Sequence, residues 1–128
     1  MKLLVDTHAL LWWWTDDPRL SRTARTLIQN DANTVLVSAA SAWEIATKWR
    51  LGKLPLGKDV VARFHELMEL DAFQPLPMNA AHALLAGVFS QSHRDPFDRM
   101  LAAQSHLESV PLVTCDSAFD AFPVKVIW

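Results

Sequence analysis

Apolar residues follow two different periods along the chain. Short unbroken runs such as Lys2–Val5 (KLLV) and Thr34–Ser38 (TVLVS) alternate with stretches in which apolar positions recur every three or four residues. Compact aliphatic and β-branched runs fit strands buried on both faces, and the wider spacing fits amphipathic helices. The pattern predicts a helix over His8–Trp14 and another over SRTARTLIQND, capped by Ser21. It predicts a third over Lys58–Leu70, with Val61, Phe64, Leu67 and Met68 on one side. Ser41-Ala-Trp-Glu44 has the spacing of a capping box, so a helix is expected to open there and end at Gly52. Asn79 caps AAHALLAGVF, and Asp95-Pro96 opens DRMLAAQSHLES with the acid as N-cap and proline in the first turn. Phe73–Leu76, Pro111–Thr114 and Val124–Ile127 complete the strands. Such alternation implies one domain over residues 1–128, a three-layer α/β/α fold around a mainly parallel sheet.

Composition narrows the class. A chain of 128 residues with 51% hydrophobic and 20% charged positions can bury a core without disulfide staples, and its single cysteine, Cys115, fits a reducing compartment. MKLLVDTHALLWWW looks briefly like a signal peptide, but Asp6 and His8 interrupt the apolar run and no small-residue cleavage site follows. No apolar stretch is long enough to span a membrane, so a cytoplasmic protein is expected. A net charge of −2 argues against a polycationic nucleic-acid binder, while leaving room for a nucleic-acid enzyme whose positive charge arrives as bound metal.

The acids change the picture further. Open parallel sheets bind ligands beyond the carboxyl ends of their strands, where strand order reverses. Asp6 follows the first strand and Asp116 the PLVT strand, while Glu44 and Asp98 fall in first turns of helices. Each has an ordinary reading. Glu44 is half of a capping box, Asp98 complements a helix dipole, and Asp116 starts a turn. Asp6 has no capping duty legible in the sequence. Four carboxylates on one rim would repel each other and lose solvation unless a cation neutralised them. An all-oxygen set suits Mg²⁺ or Mn²⁺ rather than zinc. The histidines are dispersed and lack a zinc-binding spacing, and there is no P-loop, nucleophile elbow or dinucleotide fingerprint.

At these residues the chain resembles the PIN-domain proteins, in particular the VapC-type ribonuclease toxins of toxin–antitoxin pairs. LLVDTHALLW, SAASAWEIATKWRLGKL, HRDPFDRMLAAQ and LVTCD carry the likeness, in family order across nearly the whole chain. The resemblance implies Asp6, Glu44, Asp98 and Asp116 as a catalytic, metal-holding quartet, with metal-dependent cleavage of RNA. It also implies a small antitoxin partner and a homodimer. Asp95 is assigned to the helix start and Asp98 to the site.

Thr7, Ser38 and Thr114 are candidates to orient the ligands, and Arg94, Arg99, Lys48 and Arg50 to hold RNA phosphates. Trp12, Trp13 and Trp14 sweep about 200° of a helix, so at least one is expected to be exposed or in a docking surface. Two other classes compete. An aspartate-based phosphatase of the haloacid-dehalogenase type wants an acid two places after Asp6, where His8 stands. A non-catalytic PIN fold or receiver-like module would bind a partner without cutting RNA, but a receiver wants paired acids at the first strand.

Overall fold

The computed structural model describes residues 1–55 and 57–128. Among them lie five strands and six α-helices in the order β1 (Lys2–Val5), α1 (Thr7–Trp14), α2 (Arg22–Gln29), β2 (Thr34–Ser38), α3 (Ala39–Arg50), α4 (Gly57–Leu70), β3 (Gln74–Leu76), α5 (Ala80–Val88), α6 (Pro96–Glu108), β4 (Leu112–Val113) and β5 (Val126–Ile127). A 3₁₀ turn, Ser117–Ala121, joins the last two strands. All pairings are parallel, in the spatial order β3-β2-β1-β4-β5. The predicted three-layer α/β/α fold is therefore present.

Side-chain alternation along the strands builds the layers. Leu3 and Val5 of β1, with Val35, Val37 and Val113, face one core with Leu10, Ala24, Ile28, Ile45, Val60 and Met68. Leu4, Leu36 and Leu112 face the opposite core, formed with Leu101, Ala102, Phe119 and Phe122. Both sheet faces are covered, which is why the strands read as continuous apolar runs.

Two helix starts differ from expectation. The capping box at Ser41 is absent: α3 begins earlier, capped by Ser38, whose Oγ accepts from the amide of Ala40. Ser41 is then a buried helical residue and Glu44 sits in the second turn. A helix following β2 without a loop takes the strand's last hydroxyl as its cap, and the sequence offers two serines close enough to compete. Asp6, for which no capping duty was legible, caps α1 by accepting from Ala9. The α3 terminus agrees with expectation, with Gly52 at φ +73 just beyond it.

None of the three consecutive tryptophans is fully exposed. Trp12, Trp13 and Trp14 are all half-buried against the first core. Trp13 and Trp14 both donate their indole N–H to Asp71 Oδ2, at 3.1 and 2.9 Å. Trp12 meets Trp128 edge-on and carries the Arg19 guanidinium 5.0 Å above its ring. The indoles pack their wide angular sweep against the fold, and those of Trp13 and Trp14 turn their polar edges to a partner at the surface.

Candidate active site

Strand order reverses between β1 and β4, whose connections run to opposite sides of the sheet, and the acids gather beyond these two strands. Leu4 pairs with Leu112 and Val5 with Val113, so the next residues of the two strands come out level. Thr114 Oγ1 donates to Asp6 Oδ2 at 2.5 Å and accepts from the amide of Asp116 at 3.0 Å. One buried hydroxyl thus links two predicted acids. Asp116 in turn caps the 3₁₀ turn through Oδ1, at 2.9 Å from Ala118 N.

Glu44 reaches the rim from α3 and is 2% exposed. Thr7 Oγ1 donates to its Oε1 at 2.5 Å, and the Lys48 ammonium, one turn along the same helix, donates to Oε2. Thr7 Oγ1 also lies 3.0 Å from Ser41 Oγ, so Ser41 belongs to the network that holds Glu44. This role was not foreseen, because Ser41 had been read as a cap.

The HRDPFDRM stretch divides its acids as expected. Asp95 Oδ1 accepts from the amides of Phe97 and Asp98, at 2.8 and 3.2 Å, and Pro96 opens the helix. Asp98 is left free of backbone duty and meets His93 Nε2 at 2.8 Å through Oδ2. His93 was missed. Its signal was its position just before the capping Asp95, where the loop turns back over the first turn of α6.

Burial, more than mutual repulsion, shapes the electrostatics of these acids. Burial, the largest influence, raises the Asp6 carboxyl above its ordinary range, and the charge of Asp116 adds to it. The hydrogen bonds from Thr114 and Ala9 and the charge of His8 only partly offset this. Asp98 is pushed up to about 6, first by burial and then by repulsion from Asp95, Glu44 and Asp116, against a lowering bond from His93. Asp98 therefore feels Glu44 and Asp116, and Asp6 feels Asp116.

The remaining predicted residues separate. Thr7 and Thr114 orient acids, whereas Ser38 caps α3. Arg94 is exposed, as a phosphate contact would need to be, and so is Arg50. Arg99 is not free for RNA. Its guanidinium donates to the backbone carbonyls of Ala86, Phe89, Gln91 and His93 at 2.7–2.8 Å, tying the end of α5 and the following loop to α6. Lys48 is likewise engaged, on Glu44. The position of an arginine one residue past an acid gave no hint of this inward duty.

The donor chemistry fits a hard divalent cation, since all four offer carboxylate oxygens and none offers sulfur. Among the described residues, however, no three acids, histidines or cysteines are already arranged around one ion. Asp6 is instead held by Thr114, Glu44 by Thr7 and Lys48, and Asp98 by His93.

The sequence matches the model of the PIN domain over residues 3–125, and the chain belongs to that family. It is 41% identical over 69 residues to ribonuclease VapC16 of Mycobacterium tuberculosis, a match spanning 51% of this chain and 49% of that protein. The matched segment is thus about half the length of this curated relative. The fold resembles that of VapBC2 from Rickettsia felis, solved bound to a promoter DNA fragment, with a TM-score of 0.73 and 15% identity over 100% of this chain and 99% of the other. A toxin–antitoxin complex from Klebsiella pneumoniae gives 0.65 at 18% identity, over 98% and 96% of the two chains.

Proposed function

We propose that this chain is a divalent-cation-dependent endoribonuclease, the VapC-type toxin of a toxin–antitoxin pair, cutting phosphodiester bonds in single-stranded or looped RNA. The observation that carries this reading is the hydrogen-bond network that ties Asp6 to the backbone of Asp116 through Thr114 and α1 to Glu44 through Thr7, with Asp98 feeling the charge of Glu44 and Asp116. Carboxylates brought together in this way are what a bound cation stabilises. The partial match to a named ribonuclease supports the substrate class.

Asp6 and Asp116 would hold Mg²⁺ or Mn²⁺ directly, with Glu44 and Asp98 completing the set. When bound, such an ion lowers the pKa of a water ligand and neutralises charge on the phosphodiester. Thr114 fixes the Asp6 carboxylate and Thr7 that of Glu44, so neither acid has to be ordered when substrate arrives. Asp98, titrating at about 6, is ionised at neutral pH yet still basic enough to accept a proton from water. Exposed Arg94 is placed to meet an RNA phosphate. An aspartyl-phosphate mechanism fits less well, because His8 stands where that chemistry wants a second acid, two places after Asp6.

The reading includes a small antitoxin, a homodimer and a cytoplasmic site of action. The structural likeness to a chain solved in a toxin–antitoxin complex supports the first. Leu84 and Val88, exposed one turn apart on α5, with Trp43 exposed on α3, support an apolar face for a second copy. Among the described residues no helix is long and apolar enough to cross a membrane.

The test is direct. Purified protein should cut unstructured RNA with Mg²⁺ or Mn²⁺, lose activity in EDTA and regain it when either ion is restored. Undiminished cleavage in EDTA would overturn the metal mechanism, and absence of cleavage under every ion tried would overturn the nuclease.

A further inference from the structure

Lys48 stands apart from the other basic residues near the site. Glu44 is buried, and each of its oxygens has a partner: a hydroxyl from Thr7 on one side and the Lys48 ammonium on the other. Only the lysine carries charge. Its side chain is 33% exposed against 3% for the Glu44 side chain, so the ammonium reaches in from the solvent edge to neutralise a carboxylate that water cannot reach. Glutamate preceding lysine by four residues is also the favourable helical order.

We propose that Lys48 is the resident counter-cation of Glu44, holding that carboxylate in place, and that a divalent ion must displace it to use Glu44 as a ligand. This rests on the reading of the site as one that takes a divalent cation. Two cations cannot both neutralise one buried carboxylate at full strength, so the ammonium and the metal are coupled negatively. Lys48 then sets the concentration at which the ion enters. Once displaced, its ammonium stands at the solvent edge of the site, where an RNA phosphate can receive it.

The experiment is a double-mutant cycle on the purified chain at pH 8, with Lys48→Met, Glu44→Gln and the pair together. Melting temperature is read without metal, and Mn²⁺ affinity by calorimetric titration of the salt alone, without RNA. Lys48→Met should melt roughly 5 °C or more below the parent without metal, because it strands a buried charge. It should bind Mn²⁺ roughly 5-fold or more tightly. In the Glu44→Gln background the lysine substitution should move neither quantity. Lys48→Arg, which keeps the charge, should recover most of the metal-free stability. If Lys48→Met fails to fold alone, folding restored by Mn²⁺ supports the proposal, and failure with Mn²⁺ present overturns it. Unchanged melting and affinity would also overturn it, as would weaker Mn²⁺ binding, which would make Lys48 a support for the metal rather than its rival. If the parent binds no Mn²⁺, the metal reading falls, and the metal-free cycle still decides whether Lys48 neutralises Glu44.

Discussion

The Thr114 hydroxyl donates to the Asp6 carboxylate across 108 residues of sequence, joining the ends of β1 and β4 beneath the acid rim. Both groups are buried, so the bond is shielded from competing water. Thr114→Val keeps the shape and removes the donor to Asp6 and the acceptor of the Asp116 amide. It should cost about 1–3 kcal/mol in denaturant unfolding, with Thr114→Ser recovering most of it. A valine variant as stable as the parent would show that the bond contributes nothing.

Asp95 and Asp98 offer a matched pair of tests. Asparagine caps a helix as well as aspartate, so Asp95→Asn should keep the fold and most of the cleavage activity, while Asp95→Ala should lose about 1 kcal/mol. Asp98→Asn should abolish cleavage while metal-free stability holds or rises, because one charge leaves a crowded, half-buried site. Loss of cleavage in Asp95→Asn with retention in Asp98→Asn would reverse the two assignments.

The pH dependence follows from the same acid. The folded-state pKa of Asp98 is raised from 3.8 to about 6, so its favourable contribution is complete below the unfolded value and is lost as pH rises through the folded one. Asp6, also raised, acts in the same direction. The stability of Asp98→Asn relative to the parent should therefore grow between about pH 4 and pH 6 and level off above, without metal. Divalent-ion affinity of the parent should weaken as pH falls through 6, as protons compete for the carboxylate. A stability difference that shrank with rising pH would contradict the environment assigned to Asp98.

Arg94 and Arg99 should part company. Arg99→Met leaves the carbonyls it binds without their donor and should cost at least ~2 kcal/mol, and Arg99→Lys should rescue little because an ammonium cannot span them. Arg94→Ala should change stability by less than about 0.5 kcal/mol, yet weaken RNA binding and lower its salt slope by about one. RNA affinity measured at several salt concentrations, with melting curves alongside, separates the two.

What the sequence disclosed depended on whether a residue's role was set locally. The strand cores, the Ser21, Asn79 and Asp95 caps and the parallel order follow from patterns within a few residues, and the structure has them. The acids' approach to one another could be argued because parallel strands end on a common edge. The partners holding them are not local. Thr114 on Asp6 depends on register across the sheet, and Thr7 on Glu44 on how α1 meets α3. Arg99 looks like any surface arginine until the end of α5 is folded beneath it. The misplaced cap at Ser41 is a different failure: a correct spacing rule applied one turn too late.

The sheet order has a consequence for how the chain is made. β1, made before the other four strands of the sheet, occupies its centre, and its neighbour β4 begins only at Leu112. Synthesis proceeds at about 5–20 residues per second, so several seconds separate the two strands. β2 is therefore available to pair with β1 long before β4 is made. Asp6, Glu44 and Asp98 are all made before the segment bearing Thr114 and Asp116 exists. The rim is completed by the last strands to arrive, so a nascent or prematurely ended chain carries most of the acids but not the site.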